Sequence, residues 1–468
     1  MEVTPTIQIA HTKECVGMSA SPPAPAASTV AVADEDWTNK PRTPMGRLVP
    51  AVLLSQIGFY VAVLTPIQLL LTLHLTSLAG GGDATGAFGI VTGFGALVAL
   101  LFNPIAGRIS DRTRLKFGRR RTWILFGALS GAIALVAISA TTEVWQVVVL
   151  WCVVQACFNF QFAANNALVA DQVPPGRRGG ISGLVGLTLA AGPLLGLAVA
   201  NSVEPGSALQ WQAIAAVAVV VAVVAVLLVR DFPAGARPDP QRRSGVAGVF
   251  QTFWINPMRH PAFGWAWAVR FLATCAYAGT SYYAFFLLQR FGISAEEVGA
   301  IVLNISVISI VLLAGASVGA GYLSDAVKRQ KPFVIVGGII ASSGLVLMAF
   351  APSITMVYVA AALVALGTGA FFAIDLALCI RVLPNSADAG RDLAIINIAN
   401  SLPQSLVPFI APVLLLIGGY VALFGFLALL GILGSVAVLR IPEIGQEHSA
   451  SRWTVPITRH NAMDSTSA

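Results

Sequence analysis

The sequence predicts an all-α membrane protein with twelve transmembrane helices in two pseudo-symmetric six-helix bundles. Three observations carry this reading. Hydrophobic residues make up 56% of the 468 residues and charged ones only 10%, with a mean hydropathy of +0.80. A soluble chain carries about 25% charged residues. The apolar residues gather in twelve runs long enough to cross a bilayer. Short motifs then recur in the same order in the two halves. Lipid leaves backbone groups no water to bond, so spans must be helices or closed barrels. The runs lack the alternation of barrel strands.

In chain order, residues 1–46 are polar and rich in Pro, Ala and Ser, as in "SPPAPAAST", and are predicted to be a disordered cytoplasmic segment without a cleavable signal. Helices follow near 48–73, 86–106, 122–141, 144–169, 181–203 and 211–229, making a first bundle over 47–230. Residues 231–260 read as a cytoplasmic linker of Pro, Gly and charge. A second bundle over 261–441 has helices near 261–288, 298–320, 333–351, 354–381, 393–417 and 419–439, and 442–468 form a cytoplasmic tail.

The net charge of +7 is segregated by loop. Connections 74–85, 141–143 and 202–210 hold no Lys or Arg, and Arg290 alone breaks this pattern later. The opposite connections hold Arg108 to Arg121, Arg177 and Arg178, Arg230 to Arg259, and Lys328 to Lys331. Cations retained on one side set topology. Both termini are therefore expected in the cytoplasm, with the protein in the cell (plasma) membrane and no nucleic-acid partner. Four of the five cysteines (Cys152, Cys157, Cys275, Cys379) lie in predicted helices and suit small apolar packing. No metal-ligand spacing is present, and no cofactor is expected.

"GRISD" at 107–111 returns as "GYLSD" at 321–325, and "VADQVPPGRRGG" at 169–180 is echoed by "CIRVLPNSADAG" at 379–390. Two parallel repeats joined by a hinge are a transporter plan, with cargo bound between them near the midplane. The first copy sits in "GRISDRTRLKFGRRRTW", where seven Lys or Arg residues surround one Asp. Cations alone would fix topology. They do not account for Asp111 or its repetition at Asp325.

Gly107, Asp111 and Arg112, followed by Gly118, Arg119, Arg120 and Arg121, resemble the signature loop of the major facilitator superfamily. The spacer "TRLKF" before Gly118 resembles the sucrose-transporter and glycoside–pentoside–hexuronide branches. The resemblance covers about residues 47–441. It implies a major facilitator fold and a latch between halves, closed when the outside is open and broken when the inside opens. Gly107 would let helices approach closely. Asp111 would pair with loop arginines or cap a helix, Asp171 would be a third member, and Asp325 the repeat of Asp111.

Two ionisable groups lie deep inside predicted spans, Arg270 in "WAWAVRFLATCAY" and Asp375 in "GAFFAIDLALCIRVLP". Each costs about 2.5–3.5 kcal/mol to insert. Both lie roughly 12–13 Å from the cytoplasmic helix ends, at about 1.5 Å per residue. The family lines its cavity with helices 1, 4, 7 and 10, so a functional pair is expected, and a structural ion pair is the alternative. Candidate substrate groups are Gln56 and Tyr60 on helix 1, Asn159, Asn165 and Asn166 on helix 4, Tyr277 on helix 7, and Asn397 and Asn400 on helix 11. Amides match sugar hydroxyls and aromatic faces cover sugar rings. Each could equally serve helix–helix bonding. Plant sucrose symporters carry a helix-4 acid where Gln155 stands here, which leaves Asp375 as the deep carboxylate for coupling.

The expected function is secondary active transport by alternating access, with proton-coupled uptake of a sugar or glycoside by a monomer. An exporter of drugs or small metabolites by proton antiport is the alternative. A membrane enzyme is remote, because the histidines are scattered and no nucleophile–base spacing appears. A nucleotide-driven pump is disfavoured by the lack of a GxxxxGK[ST] loop.

Overall fold

In a computed structural model, the structure describes residues 43–79, 83–174, 177–231, 260–327, 329–381 and 389–441. Every described element is helical. The first six are α1 (Met45–Ala79), with a π-helical turn at Pro66–Leu70, α2 (Ala84–Arg112), α3 (Arg119–Ile138), α4 (Val144–Gln172), α5 (Arg178–Asn201) and α6 (Ala208–Leu228). Next come α7 (Pro261–Phe291), interrupted by a 3₁₀ turn at Gly279–Tyr282, α8 (Ala295–Val327), α9 (Lys331–Ala349) and α10 (Ile354–Arg381).

Eleven described helices are long and apolar enough to cross a membrane, where twelve runs were expected. The difference lies in the last helix, Ala389–Ala437. Its 43-residue apolar part, Ile398–Arg440, measures about 65 Å, twice the hydrocarbon thickness of about 30 Å. It bends where Gly418 has φ −156° and Gly419 has φ +61°, a left-handed conformation that suits a residue without Cβ. The arm before the bend is α11 and the arm after it α12, matching the two runs read from the sequence.

Local chemistry sets the helix starts. Asp83 caps α2 by accepting from Gly86 N at 2.6 Å. Glu143 and Gln146 form a capping box on α4. Proline opens α7 and α9, where a missing N–H is harmless. Met45 already begins α1, inside the segment expected to be disordered, because Pro44 ends the extended chain there. Residues 1–42, 232–259 and 442–468 lie outside the described residues, and with them the bulk of the expected tails and linker.

Among the first six helices, α4 packs along α2 and α3, α1 against α5 and α6, and α3 against α6. Among the rest, α10 packs on α8 and α9, and α7 and α9 lie along the α11–α12 helix. The two sets meet through α2 with the α11–α12 helix and α5 with α8. Those contacts lie at the end away from the cationic loop. Gly89 abuts Pro408 and Pro412, Gly93 leaves no room beside the Phe409 ring, and Phe88 packs edge-on against Tyr282 and Phe285. Asn201 Nδ2 donates to Gly299 O at 3.1 Å. Toward the other end the same helices part. Gly107 on α2, Gly183 and Gly186 on α5, and Gly315 and Gly319 on α8 have nothing within 4 Å of a built Cβ. The bundles thus enclose a cleft closed at the Asp83 end and open at the end bearing the charged loop.

Candidate functional site

Arg270 and Asp375 meet within the second bundle. α7 and α10 are in contact, and Arg270 Nη1 donates to Asp375 Oδ2 at 2.6 Å. The side chains are 12% and 2% exposed. A buried pair of this kind stands only with close geometry and further bonds. Neighbouring side chains tie this part of α7 to α11. Trp267 Nε1 donates to Ile395 O at 3.1 Å, and its ring stacks on Phe271 at 5.3 Å. Thr274 donates to Arg270 O at 2.8 Å and lies 3.5 Å from Asn400 Oδ1. Asn400 is thereby brought beside Thr274, one turn along α7 from Arg270. Arg270 Nε is buried without a hydrogen-bond acceptor, so one charged donor of the pair remains unused.

The first bundle holds a neutral counterpart. Asn165 Nδ2 on α4 donates to Gln56 Oε1 on α1 at 2.7 Å. Gln56 and Arg270 stand as far apart in sequence as Gly107 and Gly321, and Asn165 and Asp375 as far apart as Val169 and Cys379. The two contacts therefore occupy repeat-related places, with an amide pair in one bundle and an ion pair in the other. Gln161 adds a bond to Ser55 O at 2.8 Å.

Several expected substrate groups take part in packing. Gln56 and Asn165 are buried and bonded to each other, and Asn159 donates back to Gln155 O of its own helix at 2.7 Å. Tyr277 sits inside the second bundle, edge-on to Phe372 at 6.3 Å, beside Ser342 and Thr368. Tight helix contacts recruit amides because an unbonded polar group in an apolar core is costly. Asn166 is exposed and Tyr60 half-buried on the lining helices, so both stay open to a ligand. The side chains of Asn397 and Asp325 lie outside the described residues.

The loop forms a network inside the first bundle. Arg120, with a side chain 3% exposed, donates to Asp111 Oδ1 at 2.6 Å, Asp171 Oδ2 at 2.9 Å and Ser110 Oγ at 2.8 Å. Arg119 adds a bond to Asp171 at 2.7 Å. Gly118 has φ +119° at the start of α3 and lacks a capping side chain. Asp231, just past α6, takes that place: its Oδ2 accepts from the backbone N of Arg120 at 2.5 Å and of Arg121 at 3.0 Å. A carboxylate suits the positive end of a helix. A Cβ on Gly118 would lie 2.6 Å from Asp231 Cβ.

The residues of this loop divide by the contacts they make in this conformation. All the described partners of Asp111 belong to its own bundle, so the contacts do not bridge the halves in this conformation. Gly107 makes no close helix approach here, because α2 faces the open end of the cleft. Arg112 is exposed, and the Arg121 guanidinium lies over the Phe117 ring at 4.6 Å, so neither joins an acid by its side chain. Sequence reasoning missed Ser110 and Asp231. The available signal for Asp231 was Gly118 itself: a helix beginning at glycine needs an acceptor from elsewhere.

The family model described as Major Facilitator Superfamily matches residues 48–319 and 291–461. The chain belongs to that superfamily. It is 30% identical over 173 residues to "MFS antiporter QDR2" of Candida albicans, a match covering 36% of this chain. That match spans 33% of the relative's length. Among solved structures it resembles the nucleoside transporter NupG, with a TM-score of 0.65 and 13% identity over 83% of this chain and 99% of that one. It also resembles a D-xylose-proton symporter, with a TM-score of 0.60 and 18% identity over 85% of this chain and 97% of that one.

Proposed function

We propose that the protein takes up a sugar or glycoside together with a proton by alternating access, through a cleft between bundles at 47–230 and 261–441. The observation that carries this is the Arg270–Asp375 pair, the deep ion pair among the described residues. A buried carboxylate is tolerated with a partner or with a proton. When cargo or bundle motion draws Arg270 away, Asp375 is stable as the neutral acid. A proton then rides with the conformational change and leaves when the pair re-forms. The unused Arg270 donor, Asn400, Tyr60 and Asn166 offer groups for hydroxylated cargo.

On this reading Asp111, Arg119, Arg120 and Asp171 hold the loop that latches the two halves in the opposite conformation. The termini are placed in the cytoplasm and the protein acts as a monomer in the plasma membrane. The test is uptake of labelled mono- and disaccharides into vesicles, with and without a proton gradient. Saturable, gradient-driven accumulation is expected. The likeness to a protein named an antiporter favours a second reading, export of small metabolites in exchange for protons. Substrate leaving the cytoplasmic side against a gradient, with no sugar taken up, would select it.

A further inference from the structure

The outer face of the first bundle carries a second feature, unrelated to the cleft. Helix α4 packs along both α2 and α3, while α2 and α3 touch each other little. A groove therefore runs between them, floored by α4. Its rings form a chain of contacts: Phe160 stacks on Trp123 at 4.7 Å, and Phe126 and Phe102 meet Phe160 edge-on at 5.9 and 6.5 Å. The Phe126 side of the groove is open, with that residue 47% exposed.

The loop of residues 113–118 caps this groove at the point where both helices end. Trp123 Nε1 donates to Thr113 Oγ1 at 2.6 Å and ties the loop to the rings. The loop alternates exposed Arg114 and Lys116 with Leu115 and Phe117, which are 53% and 46% exposed. The acids nearby are already engaged: Asp111 and Asp171 by Arg119 and Arg120, and Asp231 by the start of α3. Arg114 and Lys116 enter no ion pair among the described residues. Uncompensated cations beside exposed apolar side chains, at the mouth of an aromatic groove in a membrane helix pair, complement one molecule with a negative head and an apolar tail.

We propose that this face binds an anionic phospholipid, its phosphate on Arg114 and Lys116 and one acyl chain in the α2–α3 groove over Phe160. From the loop, Phe126 is about 10 Å and Phe102 about 15 Å along their helices at about 1.5 Å per residue, a length an acyl chain spans easily.

The test is native mass spectrometry of the delipidated full chain, titrated with phosphatidylglycerol, phosphatidylcholine or water-soluble glycerol 3-phosphate. Phosphatidylglycerol should be retained about tenfold or more over phosphatidylcholine, from two cations near a surface. Arg114→Gln with Lys116→Gln should remove that preference while phosphatidylcholine retention stays the same. Phe126→Ser should lower retention of both lipids. Both loop positions are exposed, and unchanged melting verifies the fold. Equal retention of the two lipids by the unaltered chain overturns the proposal. So does a preference that survives the double change, and so does glycerol 3-phosphate competing as well as the lipid, which would make the loop a free-phosphate site.

Discussion

The Asn165 amide binds Gln56 across α4 and α1 at 2.7 Å, in the place where Asp375 binds Arg270 across α10 and α7 in the other bundle. The contact is neutral in one repeat and charged in the other. The neutral pair ties helices together without titrating. Asn165→Leu should therefore cost about 1–3 kcal/mol, the penalty for leaving the Gln56 carbonyl buried and unbonded. The proton dependence of transport should be unaltered in the variant that folds. Melting and uptake in proteoliposomes measure the two effects, and a lost proton dependence would show that the amide pair takes part in coupling.

Breaking the charged pair is a different matter. Arg270→Ala removes the cation bonded to Asp375, and breaking a buried ion pair costs about 3–5 kcal/mol. Adding Asp375→Ala removes the carboxylate left behind, so the double variant should melt above the single Arg270→Ala variant. Equal melting of the two would mean that the carboxylate finds another counter-ion.

The closed end depends on residues too small to obstruct it. A Cβ on Gly299 would meet the Asn201 amide oxygen and push that amide off its bond across the bundles. Gly299→Val should hold α5 and α8 apart there and favour the conformation open at that end. Asn201→Ala, which removes one bond across the bundles, should shift the balance about two- to tenfold in the same direction. Cysteine accessibility at residue 88 reports this: labelling should rise in Gly299→Val, and unchanged labelling would mean that the gate lies elsewhere.

Asp111→Asn should leave insertion intact and cost less than about 1 kcal/mol, because the Asp111 side chain is 40% exposed. Transport should slow through an altered balance of states. Gly118→Ala should be harsher, with about 1–3 kcal/mol of backbone strain and a displaced Asp231. Wild-type turnover in properly inserted Asp111→Asn would remove this residue from the latch.

The helices were legible because lipid forces one solution on a long apolar run, and even the final bend fell where the apolar runs were split, at Gly418. Arg270 and Asp375 were legible for the same reason, since a charge in such a run needs a partner at equal depth. The amides were not. Residue type cannot tell Asn166, which is exposed, from Asn165 one position earlier, which is locked to Gln56. That distinction depends on helix rotation. Asp231 was hidden because its bond is to backbone N–H groups more than a hundred residues away, and Gly118 signals the need for an acceptor without telling which residue supplies it.

Accumulation by Asp375→Asn in proteoliposomes, driven by an imposed proton gradient, tests the coupling claim most directly. The amide keeps the shape of the carboxylate and cannot take up a proton. Exchange of labelled for unlabelled substrate should persist while uphill accumulation falls to the level reached without a gradient. An Asp375→Asn protein that still concentrates substrate on the gradient contradicts the account and makes the Arg270 pair purely structural.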